Sequence, residues 1–334
     1  MTALLWLPQA WPLGRPAFEG TQAWHLARAA VVGLAVMLSA ACGGGVKQAE
    51  AFVPGRVLVF GDESSLLLPS GQRWGINGLD PSTGRLDCQL QPVWVQSVAA
   101  DYGLVFEACN TGSPPSEPRA LMFAEVRARV AEVSDQIAAL NTFSSVRSND
   151  LALVMAGSND VWELYGQYPT RGEAALLADI RNRADRLAAL INNLVARGAK
   201  VVVVNLPDLG LSPEARAERE LHAETGFDRA ALITRLALSF NERLGTKLLL
   251  DGRYIGLVQL DERSQAIDRS PGSFGFTDVV SSACRISLPE CTTATLHEGA
   301  SESTFLWSDG RHFSPAGQAQ IASLALARTR GNPF

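Results

Sequence analysis

Three clusters of polar residues, each set against an apolar or aromatic run, hold the side chains of this sequence best suited to chemistry. Gly61-Asp62-Glu63-Ser64-Ser65 follows Val57-Leu58-Val59-Phe60, Gly157-Ser158-Asn159-Asp160 follows Leu151 to Ala156, and Ser308-Asp309-Gly310-Arg311-His312 lies between Trp307 and Phe313-Ser314-Pro315. Acyl transfer through a serine needs a hydroxyl, a base to take its proton, a group to orient that base, and donors for the oxyanion. Ser64 offers the hydroxyl, with Ser65 behind it. Asp309 and His312, with two residues between them on a turn, allow a carboxylate to approach one imidazole nitrogen while the other faces a crevice. Taken alone, a helix-capping Asp309 and a polar loop residue at His312 explain the same pair. Asn159 follows an apolar run, where its amide can point at a developing oxyanion, although a turn also favours Gly and Asn there. Gly112, in Asn110-Thr111-Gly112-Ser113-Pro114-Pro115, offers a backbone N–H as a second donor or simply breaks the chain.

The elements that must position these clusters read as alternating strands and helices. Val57 to Phe60, Gly103 to Ala108, Leu151 to Ala156, Lys200 to Asn205 and Tyr254 to Leu260 are expected strands, most of them apolar throughout and therefore covered on both faces. Helical spacing runs over Gln91 to Asp101, Arg119 to Leu140, Glu173 to Arg197, Asp228 to Leu250 and Pro315 to Arg330, with Gly198 where a C-terminal cap belongs. This alternation predicts a parallel sheet between helical layers, in one domain over residues 52–334. Ligands of such sheets bind beyond the carboxyl ends of the strands. The breaks at Asp62 to Ser65, Asn110 to Gly112 and Ser158 to Asp160 are therefore expected to converge on one crevice.

Together the three clusters resemble the GDSL, or SGNH, hydrolases. Asn159 and Gly112 match that family's third and second blocks, and Asp309 with His312 its fifth. Asn205-Leu206-Pro207-Asp208-Leu209-Gly210, Phe240-Asn241 with Leu244, and Ser270 to Thr277 look like lipase-type members, so the likeness runs from about Val57 to Leu326. It implies a flavodoxin-like three-layer α/β/α sandwich with five parallel strands. It also implies ester hydrolysis through a serine acyl-enzyme, using Ser64, Asp309 and His312 with oxyanion donors Asn159 and Gly112, and no cofactor. Where the family reads Gly-Asp-Ser, this chain reads Gly-Asp-Glu-Ser. Aligned without a gap, Glu63 stands at the nucleophile position; with a one-residue bulge, Ser64 does. Such a shift turns a side chain by about 100° once a helix has begun. Glu63 could instead orient a water or stabilise a helix N-terminus. A second reading is a catalytically degenerate relative, an envelope lipoprotein whose crevice binds a lipid, acyl or carbohydrate ligand; a third is a structural lipoprotein with no pocket function. The Gly-x-Ser-x-Gly elbow of the α/β-hydrolases is absent. The aromatics of Val161 to Tyr168 suit either an apolar ester beside the site or a buried helix face.

Composition agrees with an exported globular protein. The chain has 334 residues, 47% hydrophobic and 19% charged, with a net charge of −5 and no basic run, which argues against a nucleic-acid surface. Ala29 to Ala41 is an apolar stretch too short to span a bilayer, preceded by Arg28 and followed by Cys42-Gly43-Gly44-Gly45. Residues 1–42 read as a signal region, its first 24 positions fitting poorly as a start, and 43–51 as a tether. The Leu38-Ser39-Ala40-Ala41-Cys42 ending resembles a bacterial lipobox, which implies lipidation at Cys42 and an outer-membrane anchor; plain secretion is the other possibility. Four cysteines remain, Cys88, Cys109, Cys284 and Cys291, and pairing neighbours in sequence closes two local loops worth about 3.4 and about 2.5 kcal/mol at most. The four histidines are scattered and no metal-binding spacing occurs.

Overall fold

A run such as Val201-Val202-Val203-Val204 has no polar face to turn to water, so it must be covered on both sides. In the computed structural model, which describes residues 51–331, five such runs form one parallel sheet in the order β2-β1-β3-β4-β5. These are β1 (Arg56–Gly61), β2 (Ala120–Met122), β3 (Asp150–Met155), β4 (Lys200–Val204) and β5 (Ile255–Val258). Alternation along the strands divides the core in two. Leu58, Phe60, Ala152, Val154, Val201 and Val203 pack with α2 (Val130–Phe143), α4 (Glu173–Ala196) and α6 (Arg229–Lys247). Val57, Val59, Leu151, Leu153, Val202 and Val204 pack with α1 (Trp94–Asp101) and α8 (Pro315–Gly331). The result is the three-layer α/β/α sandwich expected from the sequence.

Two expectations fail next to β1. Residues 103–108 form no strand: Phe106 makes a single bridge to Ala120, and a 3-10 turn follows at Glu107–Cys109. The helix expected from Arg119 begins only at Val130, because Ala120–Met122 is β2. Ala, Leu and Met favour helix by propensity, but the open edge of β1 offers ladder bonds that outweigh a few tenths of a kcal/mol per residue. Val57 N–H donates to Arg119 O at 2.9 Å and Phe123 N–H to Val59 O at 2.9 Å. The Asn110 to Gly112 break therefore does not end a sheet strand.

Elements beyond the expected ones are α3 (Ser158–Tyr165), α5 (Pro213–Leu221), α7 (Leu260–Arg269) and the two-stranded pair β6 (Asp278–Ser282) with β7 (Phe305–Trp307). The disulfides are Cys88–Cys109 and Cys284–Cys291, as the sequence suggested. Disulfides persist outside the reducing cytoplasm. Among the described residues no helix is long and apolar enough to cross a membrane. The signal region and Cys42 lie outside the described residues.

At the amino end of the sheet the Arg56 guanidinium and the Asp150 carboxylate, on adjacent strands, form a buried two-point pair at 2.8 and 2.6 Å.

Candidate active site

The cleft lies at the carboxyl ends of β1 and β3, and two glycines shape it. Gly61 has φ +135° and a Cβ there would sit 1.8 Å from Met155 O; Gly157 has φ +121° and a Cβ there would meet the Phe240 ring at 2.6 Å. Only glycine takes both the conformation and the close approach without strain. After Gly61 the chain enters a 3-10 turn, Glu63–Ser65, whose first N–H groups are capped when Asp62 Oδ1 accepts from Ser64 N–H at 3.0 Å. Gln318 Nε2 donates to Ser64 O and Trp94 Nε1 to Ser65 Oγ, which fixes the turn from the α8 and α1 side.

This turn aims Glu63, rather than Ser64, at the imidazole. Glu63 is buried, and its Oε1 lies 3.4 Å from His312 Nε2. Its Oε2 accepts from Asn159 Nδ2 at 3.1 Å and from the Arg127 backbone N–H at 2.6 Å. The far side of the imidazole is held by Asp309, whose Oδ1 and Oδ2 both lie 2.9 Å from Nδ1 and whose Oδ1 also takes the backbone N–H groups of Arg311 and His312. Ser64 lines the same cleft beside Glu63, but its hydroxyl has no hydrogen bond to His312. Gly112 is exposed on the loop before β2 and is not among the residues lining the cleft. The backbone N–H that reaches Glu63 belongs to Arg127, at φ +60° in the loop between β2 and α2.

Neighbouring polar groups hold that loop. Asp160 Oδ2 caps α2 by accepting from Val130 N–H at 2.9 Å, while its Oδ1 takes Arg183 at 3.0 Å. Asn159 Nδ2 also donates to Ala128 O at 3.1 Å, and Gln136 bonds both N–H and C=O of Gly61, at 2.8 and 2.9 Å. The sequence offers little signal for these roles. A main-chain donor is independent of residue identity, and Gln136 sits in an ordinary amphipathic helix.

The charges favour an ion pair across the cleft. Burial alone would lower the His312 pKa, but hydrogen bonds to Asp309 and Glu63, and their charges, raise it to about 9. Burial likewise opposes ionisation of Glu63, and the His312 hydrogen bond with backbone N–H groups outweighs it and holds the carboxyl below its ordinary value. Asp309 is held low by the same balance, with His312 as its main partner. Asp62 goes the other way: burial, and then the neighbouring charge of Glu63, push it up to about 7, and its Oδ2 is buried without a partner. The imidazolium thus donates to a carboxylate on each side. The cavity between them is about 20 Å³, room for about one water. Arg311, stacked on Trp162 at 4.1 Å and ion-paired with Glu214, closes one side of it. Trp162 therefore lines the cleft, whereas Tyr165 turns away to bond Glu218. Among the described residues no cluster of His, Cys, Asp and Glu suits a metal ion.

A parallel sheet with an Asp–His pair, an amide and a backbone donor gathered at its carboxyl end defines an α/β protein with a hydrolase-type site. The GDSL-like Lipase/Acylhydrolase family matches residues 74–325, and the chain belongs to that family of hydrolases. The matched stretch begins downstream of Glu63. The chain is 25% identical over 232 residues to a phosphatidylcholine-sterol acyltransferase of Aeromonas hydrophila, across 67% of this chain and 63% of that protein, so it spans less than two thirds of that relative's length. Among solved structures it resembles the acetyl xylan esterase AlAXEase at 13% identity, covering 81% of this chain and 98% of that one with a TM-score of 0.41. It also resembles the lipase Lip_vut3 from a goat rumen metagenome at 12% identity, covering 80% and 97% with a TM-score of 0.42.

Proposed function

We propose that the cleft is a hydrolase site for apolar substrates whose reacting group is the Glu63 carboxylate, and that the serine acyl-enzyme route through Ser64 is not used. One observation carries this reading: the two oxygens of Glu63 occupy both places that serine chemistry needs free, one beside His312 Nε2 and one between Asn159 Nδ2 and Arg127 N–H. A serine ester hydrolase needs its imidazole neutral to take the hydroxyl proton and its donors open for the substrate oxyanion. With the His312 pKa near 9, the imidazole is charged at neutral pH. Asp309, His312 and Asn159 keep working roles in this scheme, Arg127 N–H takes the donor role assigned by sequence to Gly112, and Ser64 becomes a neighbour. An apolar substrate is supported by Met155, Trp162, Leu209 and Phe313, which line the cleft together with Glu63 and His312.

Labelling with a serine-directed fluorophosphonate tests the assignment. The wild-type protein is expected to stay unlabelled, and Glu63→Ser, which puts a hydroxyl beside His312 and frees both donors, is expected to label at residue 63. Labelling of the wild type that disappears in Ser64→Ala would return the role to Ser64.

A further inference from the structure

The Glu63 carboxylate is held so that one oxygen is bound and the other is offered. Oε2 accepts from two donors, at 3.1 and 2.6 Å, whereas Oε1 lies at the longer distance of 3.4 Å from His312 Nε2, and Glu63 lines the cavity. Donors already committed to Glu63 cannot also stabilise the oxyanion of a substrate carbonyl. They are well placed if the carbonyl to be polarised is that of Glu63 itself. Attack by a carboxylate on saturated carbon creates no oxyanion on the substrate side, and carboxylates serve as covalent nucleophiles in other enzymes. Resting on the reading that Glu63 is the reacting group, we propose that this cleft hydrolyses epoxides of apolar molecules through a covalent glutamyl ester.

In the first step Oε1 bonds to a ring carbon while that carbon's bond to the ring oxygen breaks. The freed oxygen takes the proton of His312 Nε2. Glu63 is now a neutral ester and His312 a neutral imidazole, since one of the two carboxylates that held its proton has lost its charge. In the second step a water gives its proton to His312 Nε2 and its oxygen adds to the Glu63 carbonyl carbon, the negative charge falling on Oε2 against Asn159 and Arg127. Collapse breaks the bond between that carbon and Oε1, and the departing alkoxide takes the proton back from His312, giving the vicinal diol. Glu63, released as the acid, returns its proton to His312, and the resting ion pair is restored.

An epoxide fits because its leaving oxygen needs one proton and stays attached to the product, and His312 carries one proton to give. Trp162 lines the same cleft and adds an apolar wall beside His312. The cavity holds about one water, so an epoxide enters when lining side chains such as Arg311, stacked on Trp162, move aside.

The test is a single turnover of octene oxide and of styrene oxide by excess full-length protein in heavy-oxygen water. The expected result is diol without the heavy isotope and one heavy oxygen gained by the peptide that contains Glu63, with diol formation lost in Glu63→Gln. Heavy oxygen in the first-turnover diol, diol formation that survives Glu63→Gln, or no diol from either epoxide in the wild type would overturn the proposal. Absence of diol from a wild type that also resists fluorophosphonate, while Glu63→Ser labels, overturns only the epoxide chemistry; labelling of wild-type Ser64 overturns the reading beneath it.

Discussion

Two carboxylates are buried at opposite ends of this sheet, and they are held differently. Asp150, at the start of β3, faces the Arg56 guanidinium through two bonds and takes a third from the Arg147 N–H at 2.8 Å. A guanidinium presents a rigid planar fork that meets a carboxylate at two points. Glu63, just past the end of β1, faces an imidazole that titrates, a cavity with room for a water, and two donors with no charge of their own. Both sites meet the cost of burial with hydrogen bonds and an opposite charge, but only one keeps an oxygen lightly bound. The position of a carboxylate along the strand thus separates a clamp from a reaction centre, in line with ligand binding at the carboxyl ends of parallel sheets.

Removing a partner breaks the comparison most strongly at the clamp. Asp150→Ala leaves the Arg56 guanidinium buried and uncompensated, which is expected to cost about 3–5 kcal/mol in urea unfolding. Activity per folded molecule should change little.

At the reaction centre pH does what mutation does at the clamp. His312 has a folded pKa of about 9 against an ordinary value of 6.5. A raised value means that the folded state binds the proton more tightly, so this stabilisation is complete below about pH 6.5 and is lost as pH rises through about 9. The loss amounts to about 3 kcal/mol. Denaturant unfolding across this window should show the decline, and a wild type whose stability is flat from pH 6.5 to 9 would contradict the ion pair. Glu63→Gln removes one of the two carboxylates while keeping an amide in the same space, so the decline should still begin near pH 6.5 but end at lower pH and shrink by about 1–2 kcal/mol. Asp150→Ala should leave its shape unchanged.

The two halves of the cleft also differ in how far the sequence discloses them. Asp309 and His312 are three residues apart on one turn, so their pairing is a local matter, and the Asp309 Oδ1 bonds to the Arg311 and His312 N–H groups close that turn by themselves. The strands are equally plain, because continuous apolar runs admit few alternatives. The donor half comes from the ends of β1 and β3 and from the loop after β2, where long-range pairing decides. Ala120–Met122 reads as helix until β1 lies beside it, and Gly112, offered as a donor by the family resemblance, sits in a segment whose prolines and glycine mark a turn of any kind. The choice between Glu63 and Ser64 is set by the direction in which a three-residue turn points, and residue types alone do not determine that direction.

Arg127 tests the donor half most finely. Its N–H reaches Glu63 only because the residue lies at φ +60°, a conformation that costs an L side chain roughly 1 kcal/mol, while its own side chain is exposed. Arg127→Gly removes that cost and loosens the unfolded chain, so the two effects partly cancel. The expected net gain is on the order of 0.5 kcal/mol in thermal or urea unfolding, with the pH-dependent decline of His312 unaltered because the N–H stays in place. Arg127→Val, with a branched Cβ at the same φ, should instead lose at least ~1 kcal/mol and displace the donor, so that the decline ends at lower pH. Glycine and valine acting alike on that decline would mean that Arg127 holds the loop without holding Glu63.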